Sequence, residues 1–358
     1  MTDTTSRRKA DHLELCLHGE VGFRSKTTLL EAVELLHDPL PELGLETVDI
    51  STPLLGKRLR APLVIAAMTG GIERAAELNR ELASVAEERG YGFGLGSQRA
   101  MLEPGRAESF LVRSHAPHCL LLGNLGGVQA CALGSAVVAE LAARVGADAM
   151  CIHLNPAQEL VQPGGDRSFV GVLGMLQRLG GELGLPVVVK ETGCGLGWRT
   201  ARRLAAAGIR HVDISGSGGT SWVAVERQRA TGSAQQLGET LADWGVPTAA
   251  ALAYAAAAEP AFATIIATGG IRTGLDVARA IALGAHAAGL ARPVLQAFDA
   301  GGRAGVCALL DRVEAELRAV MLLVGASCLD ELRAAPFVAR APLGDWLRPL
   351  GPDASFRR

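Results

Sequence analysis

Residues 147–159 read Ala-Asp-Ala-Met-Cys-Ile-His-Leu-Asn-Pro-Ala-Gln-Glu, residues 187–193 read Val-Val-Val-Lys-Glu-Thr-Gly, and residues 212–220 read Val-Asp-Ile-Ser-Gly-Ser-Gly-Gly-Thr. Each segment is an apolar run that ends in polar residues. Buried strands of a parallel sheet are apolar along their length, and α/β barrels carry their active sites where such strands end. We therefore expect function at the carboxyl ends of these three segments.

Similar apolar runs recur about every 30 residues, the spacing of strand–helix units. Eight such runs are present: Leu63–Ala67, Tyr91–Leu95, Cys119–Leu122, Ala149–Leu154, Pro186–Val189, His211–Ile214, Ala263–Ala267 and Ala287–Leu290. Helix-period segments follow most of them: Glu73–Arg89, Gly105–His115, Gly134–Val145, Val170–Leu183, Gly197–Ala207, Thr273–Leu283 and Gly302–Val324. Closing eight units into a barrel removes the unpaired sheet edges. The sequence thus predicts an α/β protein with a (β/α)8 TIM barrel and an N-terminal extension.

The predicted organisation has three parts: an N-terminal extension at 1–60, the barrel at 61–335, and a C-terminal tail at 336–358. Within the extension, Thr47–Thr52 and Leu55–Leu59 are predicted to form a short hairpin that closes the barrel bottom. The tail is rich in proline and glycine, and we expect it to lie across the surface. Residues 228–247 are the longest insertion between predicted strands six and seven, and we expect a mobile loop there.

The bulk composition excludes several classes of protein. The formal net charge is -2 and there is no long basic run, so we expect no binding to nucleic acid or to an anionic membrane surface. The 7 cysteines form no C-x-x-C pair, which favours a reducing cytoplasm over a disulfide framework or a structural zinc site. We expect neither a signal peptide nor a membrane span.

Glycine-rich segments follow predicted strands seven and eight. Residues 268–272 read Thr-Gly-Gly-Ile-Arg, and residues 289–292 read Gly-Leu-Ala-Arg. In barrels these two loops often bind phosphate through backbone N–H groups and a helix N-terminus. Arg272 adds a bidentate phosphate donor. The alternative interpretation is a pair of glycine turns without a ligand.

Three further strand ends combine glycine with small hydrogen-bonding side chains. Residues 68–71 read Met-Thr-Gly-Gly, residues 96–99 read Gly-Ser-Gln-Arg, and residues 123–126 read Gly-Asn-Leu-Gly. A flat heteroaromatic ring such as a flavin needs donors and acceptors of this kind along its edge. Lys190 follows three valines and should sit in the barrel mouth, where a buried ammonium needs an anion. It either stabilises an anionic reduced flavin or forms a structural ion pair with Glu191 or a neighbouring carboxylate.

The densest polar group is His153, Asn155, Gln158 and Glu159. One carboxylate with amide neighbours suits Mg²⁺, which keeps most of its waters and often bridges to substrate phosphates. The alternative for Glu159 is a solvated surface charge. Residues 7–12 read Arg-Arg-Lys-Ala-Asp-His, which by itself is typical of a frayed terminus.

In combination these motifs closely resemble those of type 2 isopentenyl diphosphate isomerases. The resemblance rests on Arg8-Lys9-x-Asp11-His12, Ala67-Met68-Thr69-Gly70-Gly71, Gly96-Ser97-Gln98-Arg99, His153-x-Asn155-x-x-Gln158-Glu159, Lys190-x-x-Gly193, Ser217-x-x-Thr220-x-Trp222 and Gly269-Gly270-x-Arg272. It implies a (β/α)8 fold, reduced FMN with NAD(P)H as the reductant, and Mg²⁺. It also implies interconversion of isopentenyl and dimethylallyl diphosphate in isoprenoid biosynthesis by a 1,3-allylic proton transfer, with reduced FMN as the acid/base.

The resemblance also implies residue roles. FMN would be held by Ala67, Met68, Thr69, Ser97, Asn124, Lys190, Ser215, Thr220, Gly269, Gly270, Arg272, Leu290 and Ala291. The substrate would face Arg8, Lys9, His12, Arg99, Asn155 and Gln158, which makes residues 7–12 a substrate-covering segment. The catalytic residues would be His153, Gln158 and Lys190, and Glu159 would bind Mg²⁺. Members of the family are commonly homo-oligomers, so a tetramer or an octamer is expected.

Two other functions are compatible with a flavin-binding barrel. An FMN-dependent 2-hydroxy acid oxidase would share the barrel and the phosphate site, but it should place a histidine and an arginine after strand six. Residues 215–222 read Ser-Gly-Ser-Gly-Gly-Thr-Ser-Trp and contain neither. A flavin-binding scaffold without activity would need no diphosphate site and no magnesium ligand, so it would not explain Arg99, Gln158 and Glu159.

Overall fold

Eight parallel strands pair into a closed ring in the computed structural model, which describes residues 4–350 and the side chains of residues 7–350. The strands are β1 (Val33–Leu35), β2 (Thr52–Leu54), β3 (Lys57–Leu59), β4 (Leu63–Ile65), β5 (Gly92–Gly94), β6 (Leu120–Gly126), β7 (Ala149–Leu154), β8 (Val187–Glu191), β9 (His211–Asp213), β10 (Thr264–Ala267), β11 (Ala287–Leu290) and β12 (Phe337–Ala339). The helices are α1 (Thr4–His18), α2 (Glu73–Arg89), α3 (Gly127–Val145), α4 (Pro156–Val161), α5 (Val172–Glu182), α6 (Trp198–Ala206), α7 (Trp222–Arg229), α8 (Gly232–Thr240), α9 (Thr248–Ala256), α10 (Gly274–Ala282), α11 (Arg292–Leu323), α12 (Leu329–Ala334) and α13 (Leu343–Leu347).

The barrel consists of β4 to β11 in chain order, and the ring closes where β11 pairs with β4. All eight predicted apolar runs overlap a barrel strand; β7 and β11 begin and end as predicted, whereas β6 and β8 extend beyond the predicted ends at Leu122 and Val189. Their side chains are buried almost throughout, because the strands face the barrel interior on one side and helices on the other. The predicted (β/α)8 class is confirmed.

The predicted hairpin is formed by β2 and β3, which pair antiparallel. Leu54 and Leu59 pack against inward-facing residues at the start of the barrel strands, including Leu120 and Val188. The hairpin therefore closes the bottom of the barrel, as expected. The tail does more than cross the surface, because β12 pairs antiparallel with β1 of the N-terminal segment. The three-part division of the chain stays a prediction.

Two predicted segments differ in the structure. Residues 105–115 form no α-helix but contain a single 3-10 turn, Glu108–Phe110. Asn79 holds this segment by donating to the carbonyl oxygen of Ser109 at 2.8 Å, and Phe110 is buried beside Gly70. A tertiary contact thus replaces the helical hydrogen bonds that the periodicity suggested.

The expected mobile loop at 228–247 was also wrong. The segment contains α8, which packs on α7 and α4. The packing is close because Gly238 lies against Arg227 and Val161, where a Cβ would come within 2.7 Å of the Arg227 side chain. The insertion is therefore a helix added to the barrel mouth.

Among the described residues one helix, α3, is long and apolar enough to cross a membrane. It connects the neighbouring barrel strands β6 and β7 and packs on α5. Its backbone is interrupted at Gly134, where φ is 78° and ψ is 165°. Because it links two paired strands, α3 belongs to the outer layer of the barrel.

We predict that Leu59→Ala destabilises the fold by about 2–5 kcal/mol, because it leaves a cavity in the plug at the barrel bottom. Leu59 is only 2% exposed. The control is Arg58→Ala in the same strand, whose side chain is 72% exposed and which should change the unfolding free energy by less than about 0.5 kcal/mol. Urea denaturation measures both, and equal stabilities would show that the hairpin is dispensable.

Candidate active site

Two adjoining cavities open at the carboxyl ends of the barrel strands. The first, of about 210 Å³, lies between α1 and the barrel mouth. The second, of about 220 Å³, lies over the ends of β9, β10 and β11. Lys190, Thr220 and Ala291 line both cavities. A ligand in one cavity can therefore extend into the other.

The structure brings nearly all the predicted site residues to these cavities. The first is lined by Arg8, Lys9, His12, Ala67, Met68, Thr69, Ser97, Arg99, Asn124, His153, Asn155, Gln158, Glu159, Lys190, Thr220 and Ala291. The second is lined by Ala67, Lys190, Ser215, Thr220, Gly269, Gly270, Arg272 and Ala291. Leu290 differs from the others, because it is buried at the end of β11 and lines neither cavity.

The N-terminal helix α1 carries three of these residues. One of its faces is buried through Leu13 and Leu17. Arg292, at the start of α11, holds its carboxyl end by donating to the carbonyl oxygens of Cys16 and Gly19, both at 2.8 Å. Cations near a helix C-terminus are favourable because they meet its unpaired carbonyls. The segment is therefore a packed wall of the first cavity, and the frayed-terminus interpretation was wrong.

Three cationic side chains, Arg8, Lys9 and Arg99, gather on one side of the first cavity. Burial lowers the pKa of Lys9 to about 8, and the nearby positive charges of Arg8 and Arg99 lower it further. Burial also lowers the pKa of Arg8, and Arg99 contributes in the same direction. Like charges held this close are destabilising without an anion. The arrangement suits a ligand with several negative charges.

A buried carboxylate, Glu226, connects the helix α1 to the strand ends. Its Oε1 lies 2.7 Å from Nε2 of His12 and 3.5 Å from Nε2 of Gln158, and its Oε2 accepts from Arg229 at 2.7 Å. Burial raises the pKa of Glu226, but the hydrogen bonds from His12 and Arg229 outweigh it, and the net pKa lies below the usual value. Glu226 is thus an ionised acceptor beside Gln158.

The carboxylate of Glu159 is also buried, at 8% exposure, so the solvated-charge interpretation was wrong. It accepts from the side chain of Asn155 at 2.8 Å, the side chain of Gln162 at 3.2 Å and the backbone N–H of Asp166 at 2.8 Å. Among residues 7–350 no three His, Cys, Asp or Glu side chains gather into a metal-binding group. The residues therefore fit a hydrated Mg²⁺ shared with a ligand, but not an all-protein metal cage.

Lys190 lies at the end of β8, opposite Asp213 of β9 in the parallel register. Its ammonium donates to the backbone carbonyl of Glu191 at 2.6 Å. The Glu191 carboxylate turns away and accepts the backbone N–H groups of Gly193, Cys194 and Gly195 at 2.7, 2.5 and 2.8 Å. The Glu191 carboxylate is therefore engaged by backbone N–H groups and does not form the ion pair with Lys190 that was the alternative interpretation. Lys190 lies at the junction of the two cavities.

The second cavity is bounded by glycine loops that meet closely. A Cβ on Gly219 would lie 2.4 Å from the backbone nitrogen of Gly270, and a Cβ on Gly269 would lie 2.1 Å from the carbonyl oxygen of Gly216. Arg272 stands at the rim, just before α10. Only glycines allow this cradle, and its shape and donors fit the phosphate end of a flavin.

Sequence reasoning missed several residues that line the first cavity. The missed residues that line the cavity are Gln129, Gln162, Thr192, Trp222 and Arg292. Trp222 was part of a motif but had no predicted role. Glu226, which accepts a hydrogen bond from Gln158, was also missed. The one available signal for Glu226 was its position one helical turn after Trp222 on α7. Burial and the nearby Glu191 raise the pKa of the Cys194 thiol, as expected of an unreactive, structural cysteine.

Comparison with known proteins agrees with this geometry. A family model described as FMN-dependent dehydrogenase matches residues 170–339. A mandelate oxidase variant and a flavocytochrome b2 variant share the fold, with TM-scores of 0.62 and 0.67, at 20% and 19% identity over 91% and 90% of this chain, and over 99% and 81% of theirs.

Closer sequence relatives carry another name. An isopentenyl-diphosphate delta-isomerase of Aeropyrum pernix is 45% identical over 359 residues, which cover 99% of this chain and 95% of the relative. One from Synechococcus is 47% identical over 296 residues, covering 82% of this chain and 85% of the relative. The chain therefore belongs to the isopentenyl-diphosphate delta-isomerase family.

Proposed function

We propose that this protein interconverts isopentenyl and dimethylallyl diphosphate with reduced FMN, and that its substrate occupies the first cavity. The observation that carries the proposal is the gathering of Arg8, Lys9 and Arg99 around that cavity, next to a glycine cradle. A diphosphate supplies the negative charges that these cations need. The named relatives, at up to 47% identity, support the same reaction.

The FMN would take the second cavity and extend into the first. Its phosphate would meet Gly269, Gly270 and Arg272, and Lys190 would lie beside its ring, where a cation stabilises a reduced anionic flavin. When bound, reduced FMN would supply a proton-bearing N5 and an electron-rich ring for the reaction. NAD(P)H is the reductant that the family resemblance implies.

Glu159 would hold a hydrated magnesium ion, which would offset the negative charge of a diphosphate. The three N–H groups on Glu159 hold the carboxylate in place, which is the usual role of residues behind a metal ligand. Glu159→Gln should raise the magnesium concentration required for half-maximal activity. An unchanged magnesium titration would overturn the role of Glu159.

Gln158 and Glu226 would handle the proton that leaves the allylic carbon of the substrate. Glu226 is ionised and fully buried, and Gln158 stands between it and Asn155, which donates to Gln158 Oε1 at 3.3 Å. A positioned carboxylate of this kind acts as a base or holds the base in place. His153 lines the same cavity. Helix α1 would exclude water from these groups.

The rival oxidase function has weaker support. The oxidase and flavocytochrome structures share only 19–20% identity with this chain. The loop after β9 supplies glycines and Trp222 to the site instead of the histidine–arginine pair that a 2-hydroxy acid oxidase requires. A diphosphate carries enough negative charge to meet all three cations of the cluster, whereas a 2-hydroxy acid brings a single carboxylate.

The oligomer and the cellular location are also proposals. Only 28% of the most apolar window of α3 is buried within the monomer, which supports contact with a second copy in a tetramer or octamer. A monomeric mass in light scattering would refute that. All 7 cysteines carry free thiols, which fits a reducing cytoplasm.

The function is tested by proton NMR of isopentenyl diphosphate in deuterated water with the protein, FMN, NADPH and magnesium under anaerobic conditions. We expect dimethylallyl diphosphate with deuterium incorporated. No conversion by the flavin-loaded, reduced wild type would overturn the proposal.

The role of Glu226 is tested by Glu226→Gln, which should lower the turnover number by about 10²-fold or more, because it removes the carboxylate beside Gln158. The matched control is Glu239→Gln, which changes an exposed carboxylate on α8 and should keep the turnover number of the wild type.

Substrate binding should be linked to proton uptake at Lys9. Because the pKa of Lys9 is about 8, half of the ammonium groups are deprotonated at pH 8, and a bound diphosphate raises this pKa. We expect uptake of about half a proton per site at pH 8 and about a tenth at pH 7. Calorimetry in buffers of different ionisation enthalpy measures it with the oxidised protein.

Two variants check that assignment. Lys9→Gln should abolish the uptake, whereas Lys57→Gln, which removes a lysine at the barrel bottom, should retain it. Equal uptake in Lys9→Gln and the wild type would show that another group takes the proton.

The glycine cradle is tested by Gly219→Ala. The added methyl group would push the two loops apart, so we expect FMN affinity to fall by at least about tenfold, a loss of about 1.4 kcal/mol. Gly197→Ala is the control, because a Cβ there meets nothing within 4 Å. Quenching of FMN fluorescence measures both affinities. An unchanged affinity in Gly219→Ala would place the flavin phosphate elsewhere.

A further inference from the structure

Two buried amide side chains near the first cavity are each oriented by a backbone carbonyl. Gln98 donates from Nε2 to the carbonyl oxygen of Leu141 at 2.9 Å, and its Oε1 accepts the backbone N–H of Asn124 at 2.9 Å. Asn124 in turn donates from Nδ2 to the carbonyl oxygen of Leu95 at 3.0 Å. A carbonyl oxygen can only accept, so neither amide can be reversed without placing two acceptors face to face.

The orientation of Asn124 determines which nitrogen of His153 carries a proton. With Nδ2 committed to Leu95, the Oδ1 atom of Asn124 faces Nδ1 of His153 at 2.9 Å. Because Oδ1 is an acceptor, Nδ1 must be the donor. Burial lowers the pKa of His153 to about 3, and Lys190 adds to this effect. The ring is therefore neutral in the free protein, with a lone pair on Nε2.

The Nε2 atom lies close to Gly126 and Gln129. A Cβ on Gly126 would lie 3.1 Å from Nε2 of His153 and 1.8 Å from Oε1 of Gln129, so the Gln129 amide oxygen fills the place that a side chain at Gly126 would take. Gln129 is oriented like Asn124, because its Nε2 donates to Asp166 at 2.7 Å. Both His153 and Gln129 line the first cavity. A ligand in that cavity can therefore approach two hydrogen-bond acceptors, Nε2 of His153 and Oε1 of Gln129.

We propose that Asn124 is a positioning residue that holds the His153 proton on Nδ1 and leaves Nε2 as the ring nitrogen that exchanges a proton or a hydrogen bond with the ligand. Its role goes beyond the flavin contact expected of Asn124, since it acts through His153. The consequence for turnover rests on the proposed function, whereas the tautomer is a property of the chain itself.

The tautomer is measured directly by nitrogen NMR of the FMN-loaded, oxidised protein labelled with 15N-histidine. The protein has 8 histidines, and the His153 signals are identified by their loss in His153→Gln. We expect the chemical shift of a protonated nitrogen for Nδ1 and that of a bare nitrogen for Nε2. A proton on Nε2, or an equal mixture of the two forms, would overturn the proposal.

Variants of Asn124 test the cause. Asn124→Asp keeps an acceptor opposite Nδ1, while its second oxygen, once protonated, can replace the donation to Leu95, so the proton should stay on Nδ1. Asn124→Leu removes the acceptor and should give a mixture. The matched control is Asn79→Leu, because Asn79 is also buried and also donates to backbone carbonyls, those of Thr69 and Ser109, but does not bond His153. It should leave the tautomer unchanged. An unaltered tautomer in folded Asn124→Leu would show that another group orients the ring.

Kinetics separate this role from flavin binding. Asn124→Leu should lower the turnover number of the flavin-saturated enzyme by about 10–100-fold, the scale typical of losing an orienting partner, and Asn124→Asp should recover part of it. A lower FMN affinity with an unchanged tautomer would make Asn124 a flavin ligand only and refute the proposal. If the wild type shows the Nδ1 tautomer but no isomerase activity, the proposed function fails and the orientation by Asn124 stands.

Discussion

The ladder between β11 and β4 is the contact on which the site depends, because it closes the ring of eight strands. Its register pairs Ala288 with Leu63 and Leu290 with Ile65. Once the ring is closed, the carboxyl ends of all eight strands point to one mouth. Residues far apart in the chain, such as Met68, His153 and Arg272, are thereby carried to the same two cavities. At the other end, Leu54 and Leu59 of the hairpin pack against the interior residues of the barrel strands.

Charge is distributed unevenly around that mouth. Cations from α1 and from the loop after β5 face the first cavity, and the carboxylates Glu159, Glu191 and Glu226 are all held by N–H donors. Each of these three carboxylates has its partners in the protein. Burial lowers the pKa of Arg8 and of Lys9, and neighbouring cations add to this effect, although Glu226 opposes it at Arg8 and Glu103 opposes it at Lys9. An anionic ligand at these cations would favour their charged forms. The same donors fix the orientation of Glu159 before any ligand arrives.

Much of the site was predictable because the apolar pattern of each strand shows where the strand ends. Lys190 follows three valines, and Asn155 follows the β7 run, so their positions at the barrel mouth need only the period of the apolar residues. The helix predicted at 105–115 failed because Asn79 and Gly70 hold that segment from a distance. The insertion at 228–247 was misread because its helix depends on packing against α7 and α4, not on a strong apolar stripe of its own.

The sequence by itself determined the eight strands, the glycine loops and the set of polar residues that follow them, since these depend on neighbours close in the chain. The tertiary structure alone decided which side chains share hydrogen bonds. His12 and Glu226 are 214 residues apart, and His153 and Asn124 are 29 apart, yet both pairs are in direct contact. Protonation and ionisation are set by such contacts and by burial, because both require the barrel to close and exclude water. The tautomer of His153 and the charge on Glu226 are therefore properties of the fold.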